Sequence, residues 1–253
     1  MALKPVKIED MQRGKLMLVY GAPGTGKSTL AARYARCLGK RTVILDMEVG
    51  IREAIMQTNK EGKSGHDPVL FDLSDPNPTM TGDIVELLRR VQTMDDVGLV
   101  VLDTLSELTW SLLQGLCGMK DPTLKIYGER KKNLRVILME LRNLTKAGKD
   151  VMVLTHETVG EIEGLPGYYA PSCPERDRAD IVGVFDLVAR LQSATKTAAA
   201  AMNLRPGMRY LNMVQDPQHV SKCRYQLFKE GEQHTINVST LDEVLDFANR
   251  LSQ

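Results

Sequence analysis

Nine consecutive residues, Gly21-Ala22-Pro23-Gly24-Thr25-Gly26-Lys27-Ser28-Thr29, follow directly on the apolar run Leu16-Met17-Leu18-Val19-Tyr20. The spacing is G-x-x-x-x-G-K-[ST], at a point where a strand turns into a helix. Glycines there let the backbone curl until its N–H groups point inward, so that they cradle a phosphate at the positive end of the helix. The spacing gives Lys27 the reach to the β- and γ-phosphate oxygens and puts the Ser28 hydroxyl where it can ligate Mg²⁺. The run therefore reads as a P-loop.

A second half-site follows about 75 residues later, where Gly98-Leu-Val-Val-Leu-Asp103 ends four apolar residues in an acid. A buried strand of this kind delivers a carboxylate to the edge of a sheet, beside a phosphate-bound Mg²⁺. Apolar strands ending in Asp are common by themselves; after a P-loop, Asp103 reads as the metal-side acid together with Ser28. The next residue is Thr104, so a base for water activation must come from elsewhere. Glu48, in Val43-Ile-Leu-Asp-Met-Glu48, is the candidate, because a carboxylate at that strand end can polarise a water. The same spacing also suits a solvated turn acid.

These groups need a scaffold, and the pattern along the chain supplies one. Strands and helices alternate as in a mostly parallel sheet with crossover helices. Helical patterns cover Thr29–Leu38, Thr81–Thr93, Ser106–Leu116 and Glu129–Ala147. Strands are expected at Thr42–Leu45, Val69–Leu73, Leu99–Leu102 and Val151–Thr155, the last running into His156, with an acidic turn after the first of them. A loop without period is expected over Thr158–Ala179. The β-rich stretch Val184–Val238 holds strands near Asp186–Leu191, Tyr210–Val214 and Tyr225–Lys229. Thr240-Leu-Asp-Glu243 is a capping box that starts a terminal helix. The expected layout is one α/β domain over residues 1–253, with a core at about 14–192 and a β-rich extension at about 193–253.

Composition fits this class. The 253 residues carry a net charge of +1, so a polyanion must be held by a local patch and not by the overall field. Cys37, Cys117, Cys173 and Cys223 are widely spaced and form no C-x-x-C, as expected of a reduced cytoplasmic protein without a zinc site. No signal-peptide pattern and no membrane span are read.

With the P-loop, the I-L-D-M-E strand end, V-V-L-D-T and the polar end of Val151-Met-Val-Leu-Thr-His156 in place, the chain resembles the RecA-type P-loop ATPases. It is most similar to short phage-encoded members that include single-strand annealing proteins. The resemblance implies a RecA-like fold and Mg²⁺-dependent ATP hydrolysis. It gives Glu48 the role of catalytic glutamate and makes His156 a γ-phosphate sensor. It also implies that Lys222 and Arg224, as a K-x-R pair, reach into a neighbour's ATP site in a ring or filament. Without it, that pair reads as a solvated strand.

The resemblance further implies DNA-contacting loops over Gly115–Arg130 and Thr158–Ala179. The first leads into Arg130, Lys131, Lys132 and Arg135, and from Lys120 to Lys149 nine basic residues face three acids. The second carries Tyr168, Tyr169, Arg176 and Arg178, groups that stack bases and track a backbone. Each set also has an ordinary reading, as a solvated helix face or loop packing. Single-stranded DNA is the implied partner, with a single-strand-binding protein beside it. Annealing or recombination is the implied activity. A nucleotide-controlled loader ATPase and a small-molecule P-loop kinase, in which Arg176 and Arg178 serve as lid arginines, are the alternatives.

Overall fold

The computed structural model describes residues 13–61, 68–162, 165–201, 204–214, 218–228, 232 and 234–252. Strands β1 (Leu16–Gly21), β4 (Val97–Asp103) and β5 (Asp150–Ile162) form the centre of the sheet. β1 and β4 are buried along their whole length, as are Val151–Thr155 of β5. Central parallel strands covered on both faces read as continuous apolar runs without alternation, which is what Leu16–Tyr20 and Leu99–Leu102 display.

The sheet continues through β2 (Arg41–Asp46) and β3 (Val69–Asp72) on one side. On the other side lie β7 (Leu187–Ser193), β8 (Arg209–Asn212) and β10 (Thr235–Asn237). The order is β10-β8-β7-β1-β5-β4-β2-β3. Pairing is parallel from β7 to β3 and antiparallel from β7 to β10. This is the expected α/β architecture with a β-rich C-terminal part.

Alternate residues of each central strand enter different cores. Leu16, Leu18, Leu102 and Val153 pack beneath helices α3 (Met80–Gln92), α4 (Leu105–Cys117) and α5 (Leu124–Lys146). Met17, Val19, Val101 and Leu154 pack beneath α1 (Lys27–Leu38) and α8 (Leu241–Leu251). The capping box forms at Thr240, whose hydroxyl accepts from the Glu243 amide while the Glu243 carboxylate accepts from the Thr240 amide. Among the described residues no helix is long and apolar enough to cross a membrane.

Several local expectations are corrected. The acidic turn after β2 leads at once into a helix, α2 (Ile51–Asn59). The basic helix begins at Leu124 and not at Glu129, because Thr123 caps it by accepting the Ile126 N–H. With α4 running to Cys117, the first expected DNA loop shrinks to residues 118–123.

The segment Thr158–Ala179 is not a loop. β5 continues past His156 and returns as β6 (Leu165–Pro171), an antiparallel pair with Thr158 opposite Ala170. A 3-10 turn (Glu175–Asp177) and helix α6 (Arg178–Val184) follow. This ladder forms a sheet of its own beyond the main one, so its strands lack the two-faced apolar signature that marks the others.

Residues 225–228 form no strand; the pairing is made earlier by β9 (Lys222–Cys223), antiparallel to Leu187 and Val188. Lys229 lies outside the described residues. A short helix, α7 (Lys196–Ala201), completes the elements.

Candidate functional site

β1 ends at Gly21 between β5 and β7, and the chain turns through residues 22–26 into α1. The turn needs its glycines. A Cβ on Gly21 would come within 2.5 Å of the Leu191 carbonyl oxygen, and Gly24 and Gly26 have φ of 77° and 92°, which side chains disfavour. Gly26 is the N-cap of α1, offers no side chain to its amides, and no acid lies in the first turn. The free N–H groups and the helix dipole therefore face outward, ready for an anion. Thr25 tightens the turn by donating its hydroxyl to the Ala22 carbonyl at 2.9 Å.

Lys27 is buried and donates its ammonium to the carbonyls of Gly21 (2.9 Å) and Ala22 (3.1 Å). Burial lowers its pKa, an effect opposed by the carboxylates of Asp103, Glu48 and Glu157. Ser28 donates to Asp103 Oδ2 at 2.7 Å. Asp103 is 2% exposed, and burial pushes its pKa up to about 6 against the Ser28 hydrogen bond, with Glu48 and Asp46 adding to the rise. Two hard oxygen donors side by side fit a Mg²⁺ ion, which is held by few protein ligands and completes its shell with water and phosphate.

Glu48 stands at the other side of the hollow. Its Oε1 accepts from the Thr104 hydroxyl at 2.7 Å and lies 2.7 Å from His156 Nε2. Both partners come from neighbouring strand ends: Thr104 follows Asp103 on β4, and His156 sits on β5 opposite Gly21 of β1. Thr104 Oγ1 lies 3.0 Å from Ser106 Oγ, and Ser106 accepts the His156 N–H at 3.4 Å.

The loop that carries Glu48 is held from below. Asp46 accepts the Glu48 N–H at 3.2 Å and faces the amides of Val49 and Gly50 as well; burial raises its pKa while those amides lower it. Val49 takes φ of 58°, a left-handed conformation that is costly for a β-branched residue.

One hollow of about 360 Å³ is lined by Lys27, Ser28, Glu48, Asp103, His156 and Arg209, among others. The structure thus brings together the P-loop (Gly21–Thr29), the Ser28–Asp103 pair, Glu48 and His156. Sequence reasoning missed Asp46, Thr104, Ser106 and Arg209 as parts of it. Asp46 carried a signal, since it occupies the first position of Asp-x-Glu. Arg209 carried none, because only the pairing of β8 with β7 puts it at this edge.

Lys222 and Arg224 lie elsewhere. β9 pairs with the start of β7, and the Asp186 N–H bonds to the Leu16 carbonyl, at the opposite end of β1 from the P-loop. Five residues of strand put that end about 17 Å from Gly21. Lys222 donates to the Gly183 carbonyl at 3.0 Å, and Arg224 pairs with Asp186 at 2.9 Å. Within one subunit neither reaches the hollow.

The basic stretch is less open than its count suggests. Lys131 pairs with Asp177 (2.7 Å) and Asp180 (3.4 Å), and Arg130 pairs with Asp177 (3.4 Å) while lying over the Tyr127 ring. Lys149 is buried against the carbonyls of Met94 and Val97. Lys132, Arg135 and Arg176 are exposed. Tyr168 and Tyr169 sit on β6, where the Arg190 guanidinium covers the Tyr169 ring at 3.4 Å. Arg178 opens α6 and bonds to Cys173, whose thiol pKa burial raises to about 11.

The model of an AAA-domain family (AAA_24) matches residues 13–225. No curated protein matches the chain significantly by sequence. Among solved structures, the chain is similar to a DnaB-like replicative helicase described with its primase interactions. The identity is 12%, the TM-score 0.52, and the match covers 90% of this chain and 56% of that one. It is also similar to a RadB recombinase at 15% identity and a TM-score of 0.49, over 89% of this chain and 86% of that one. A P-loop at the edge of a RecA-like sheet, within a family match that spans most of the sequence, makes this chain a member of the AAA-domain family.

Proposed function

We propose that the protein is a Mg²⁺-dependent ATPase that works as an oligomer on single-stranded DNA and promotes annealing or recombination. The observation that carries the reading is the position of Glu48, held by Thr104 and His156 on one wall of the hollow that Lys27, Ser28 and Asp103 line. An acid so held, opposite a phosphate cradle, is suited to orient a water for attack on a terminal phosphate.

In this reading the amides of the P-loop and the Lys27 ammonium bind and neutralise the phosphate chain, with Lys27 leaving the Gly21 and Ala22 carbonyls to do so. Ser28 and Asp103 hold Mg²⁺, which when bound supplies charge neutralisation at the phosphate oxygens. Glu48 positions the water and takes its proton. His156, joined to Glu48 on one side and to the β5–β6 hairpin on the other, reports the state of the terminal phosphate to that hairpin.

Lys222 and Arg224 suit a role in a neighbour's site, since they lie too far from their own. DNA contact is supported by the exposed Lys132, Arg135 and Arg176 and by Tyr168. The helicase whose fold this chain shares supports action on DNA only by that likeness.

The test is steady-state ATP hydrolysis with and without single-stranded DNA, for the wild type and Glu48→Gln. Turnover stimulated by DNA, fading as salt rises, and reduced at least ~100-fold in Glu48→Gln with ATP binding retained is the expected outcome. Wild-type levels in Glu48→Gln overturn its role. ATP-dependent assembly with hydrolysis indifferent to DNA favours the loader reading.

A further inference from the structure

Arg209 stands over the P-loop from the β8 side. A Cβ built on Gly26 would lie 2.7 Å from its Cζ and 2.7 Å from Nη1, so the guanidinium occupies the space that a side chain at Gly26 would take. The same side chain lines the hollow with Lys27, Ser28 and His156.

Its backbone is fixed. The Arg209 N–H donates to Ser239 Oγ at 2.7 Å, and its carbonyl accepts from the Val238 N–H (2.9 Å) and the Ser239 hydroxyl (3.1 Å). β8 also pairs with β7, with Arg209 opposite Ser193, at the sheet edge where the P-loop emerges. The side chain is therefore delivered by a strand and not by a loose loop.

Its charge bears on what the hollow can hold. Arginine keeps its charge at any working pH. Here it stands over Gly26, the N-cap of α1, where no acid occupies the first turn, and it shares the hollow with the buried Lys27. Glu48 and Asp103 share the hollow, but Glu48 is bound by Thr104 and His156, and Asp103 by Ser28. Two side-chain cations and a helix N-terminus around one hollow suit an anion that settles between them.

We infer that Arg209 is a phosphate ligand of its own chain's nucleotide site, closing the P-loop from the β8 side. The inference rests on the P-loop's binding a nucleoside triphosphate, and it deepens that reading by adding a cation contributed in cis. Because Ser239 and the Thr240 cap follow directly, the contact also joins the bound phosphate chain to α8. That helix packs on α1 through Tyr34 and Phe247, their rings 6.0 Å apart. Occupancy of the site would thus tie the C-terminal strands to the P-loop helix and stiffen both.

The test is calorimetric titration of the full chain with Mg·ATP and with Mg·tripolyphosphate, on the wild type, Arg209→Ala, Arg209→Lys and Lys27→Ala. The expected result is a loss in Arg209→Ala of roughly 10- to 100-fold for both ligands, partly restored in Arg209→Lys. The ligand-free melting temperature should stay unchanged, and the nucleotide-induced rise in it should shrink. Wild-type affinity for both ligands in Arg209→Ala overturns the inference, as does a loss confined to ATP, which would assign the guanidinium to the base. If the wild type binds neither ligand, the P-loop reading itself fails. If Lys27→Ala loses binding and Arg209→Ala does not, only the role of Arg209 falls.

Discussion

The Thr104 hydroxyl donates to Glu48 Oε1 at 2.7 Å, and so links the end of the strand that carries Asp103 to the loop after the neighbouring strand. Thr104 is also the N-cap of α4, with the Glu107 N–H directed at its hydroxyl oxygen. One side chain thus starts a helix and aims a carboxylate. Thr104→Val keeps the shape and removes the hydrogen bond. Turnover should fall about 10-fold, the scale of one hydrogen bond to a charged group, with ATP affinity unchanged. Wild-type turnover would remove Thr104 from the site.

Val49 should prove a stored cost in the same loop. It is 55% exposed and has a φ of 58°, so little packing would be lost on replacement. Val49→Gly should stabilise the protein by about 1 kcal/mol in urea unfolding, because glycine takes this conformation without steric penalty. A loss of stability would show that the side chain holds the loop by contacts.

Asp103 ties stability to pH in metal-free protein. Its folded pKa of about 6 lies above the unfolded value near 3.9, so folding is favoured where the acid is protonated. That contribution is present in full below the unfolded value and is lost as pH rises through about 6. In EDTA, Asp103→Asn should therefore gain stability relative to wild type between pH 4 and 7, by up to about 3 kcal/mol. A difference that stays flat with pH would mean that the carboxylate titrates alike in the folded and unfolded chain. Mg²⁺ with ATP should narrow the gap near neutral pH by stabilising the charged form in the wild type alone.

Gly115 marks a close approach that positions α4. A Cβ there would meet the Asn77 carbonyl oxygen at 2.5 Å, a backbone atom that cannot rotate away. Gly115→Ala should cost about 1–3 kcal/mol by overpacking, despite the better helix propensity of alanine. Chemical denaturation measures it, and a stabilised variant would mean that the Asn77 turn yields.

Trp110 offers a test of the proposed DNA contact. It is the only tryptophan in the chain and is 56% exposed on α4, beside a hollow shared with Ser106, Arg130 and Cys173. Ser106 reaches the His156 amide, so this surface adjoins the Glu48 cluster. Single-stranded DNA should change Trp110 emission, and Trp110→Ala should weaken DNA binding by about 1–3 kcal/mol if a base stacks there. Unchanged emission on adding single-stranded DNA would remove Trp110 from the proposed contact.

Legibility followed physical type. The P-loop could be read because its backbone curl demands glycine at fixed spacing, and Asp103 because a buried parallel strand must be apolar until it reaches the edge. The Thr240 cap was legible for the same reason, since local hydrogen bonds are made by residues three apart. The β5–β6 hairpin was not, because its pairing partner and not its own sequence period makes it a ladder. The pairing of part of the basic stretch was not legible because charge was counted along the chain, whereas Asp177 and Asp180 come from a different helix and turn.

By itself, then, the sequence determined the fold class, the glycine-built turn between β1 and α1 and the acid that ends β4, all of which arise from short-range geometry and from burial along single strands. Only the tertiary structure decided that Glu48 meets Thr104 and His156, 56 and 108 residues away. It alone put Arg209 over Gly26 and carried Lys222 and Arg224 to the far end of the sheet. Such contacts depend on strand order and register, and these are set by the packing of two whole cores and not by any local run of residues.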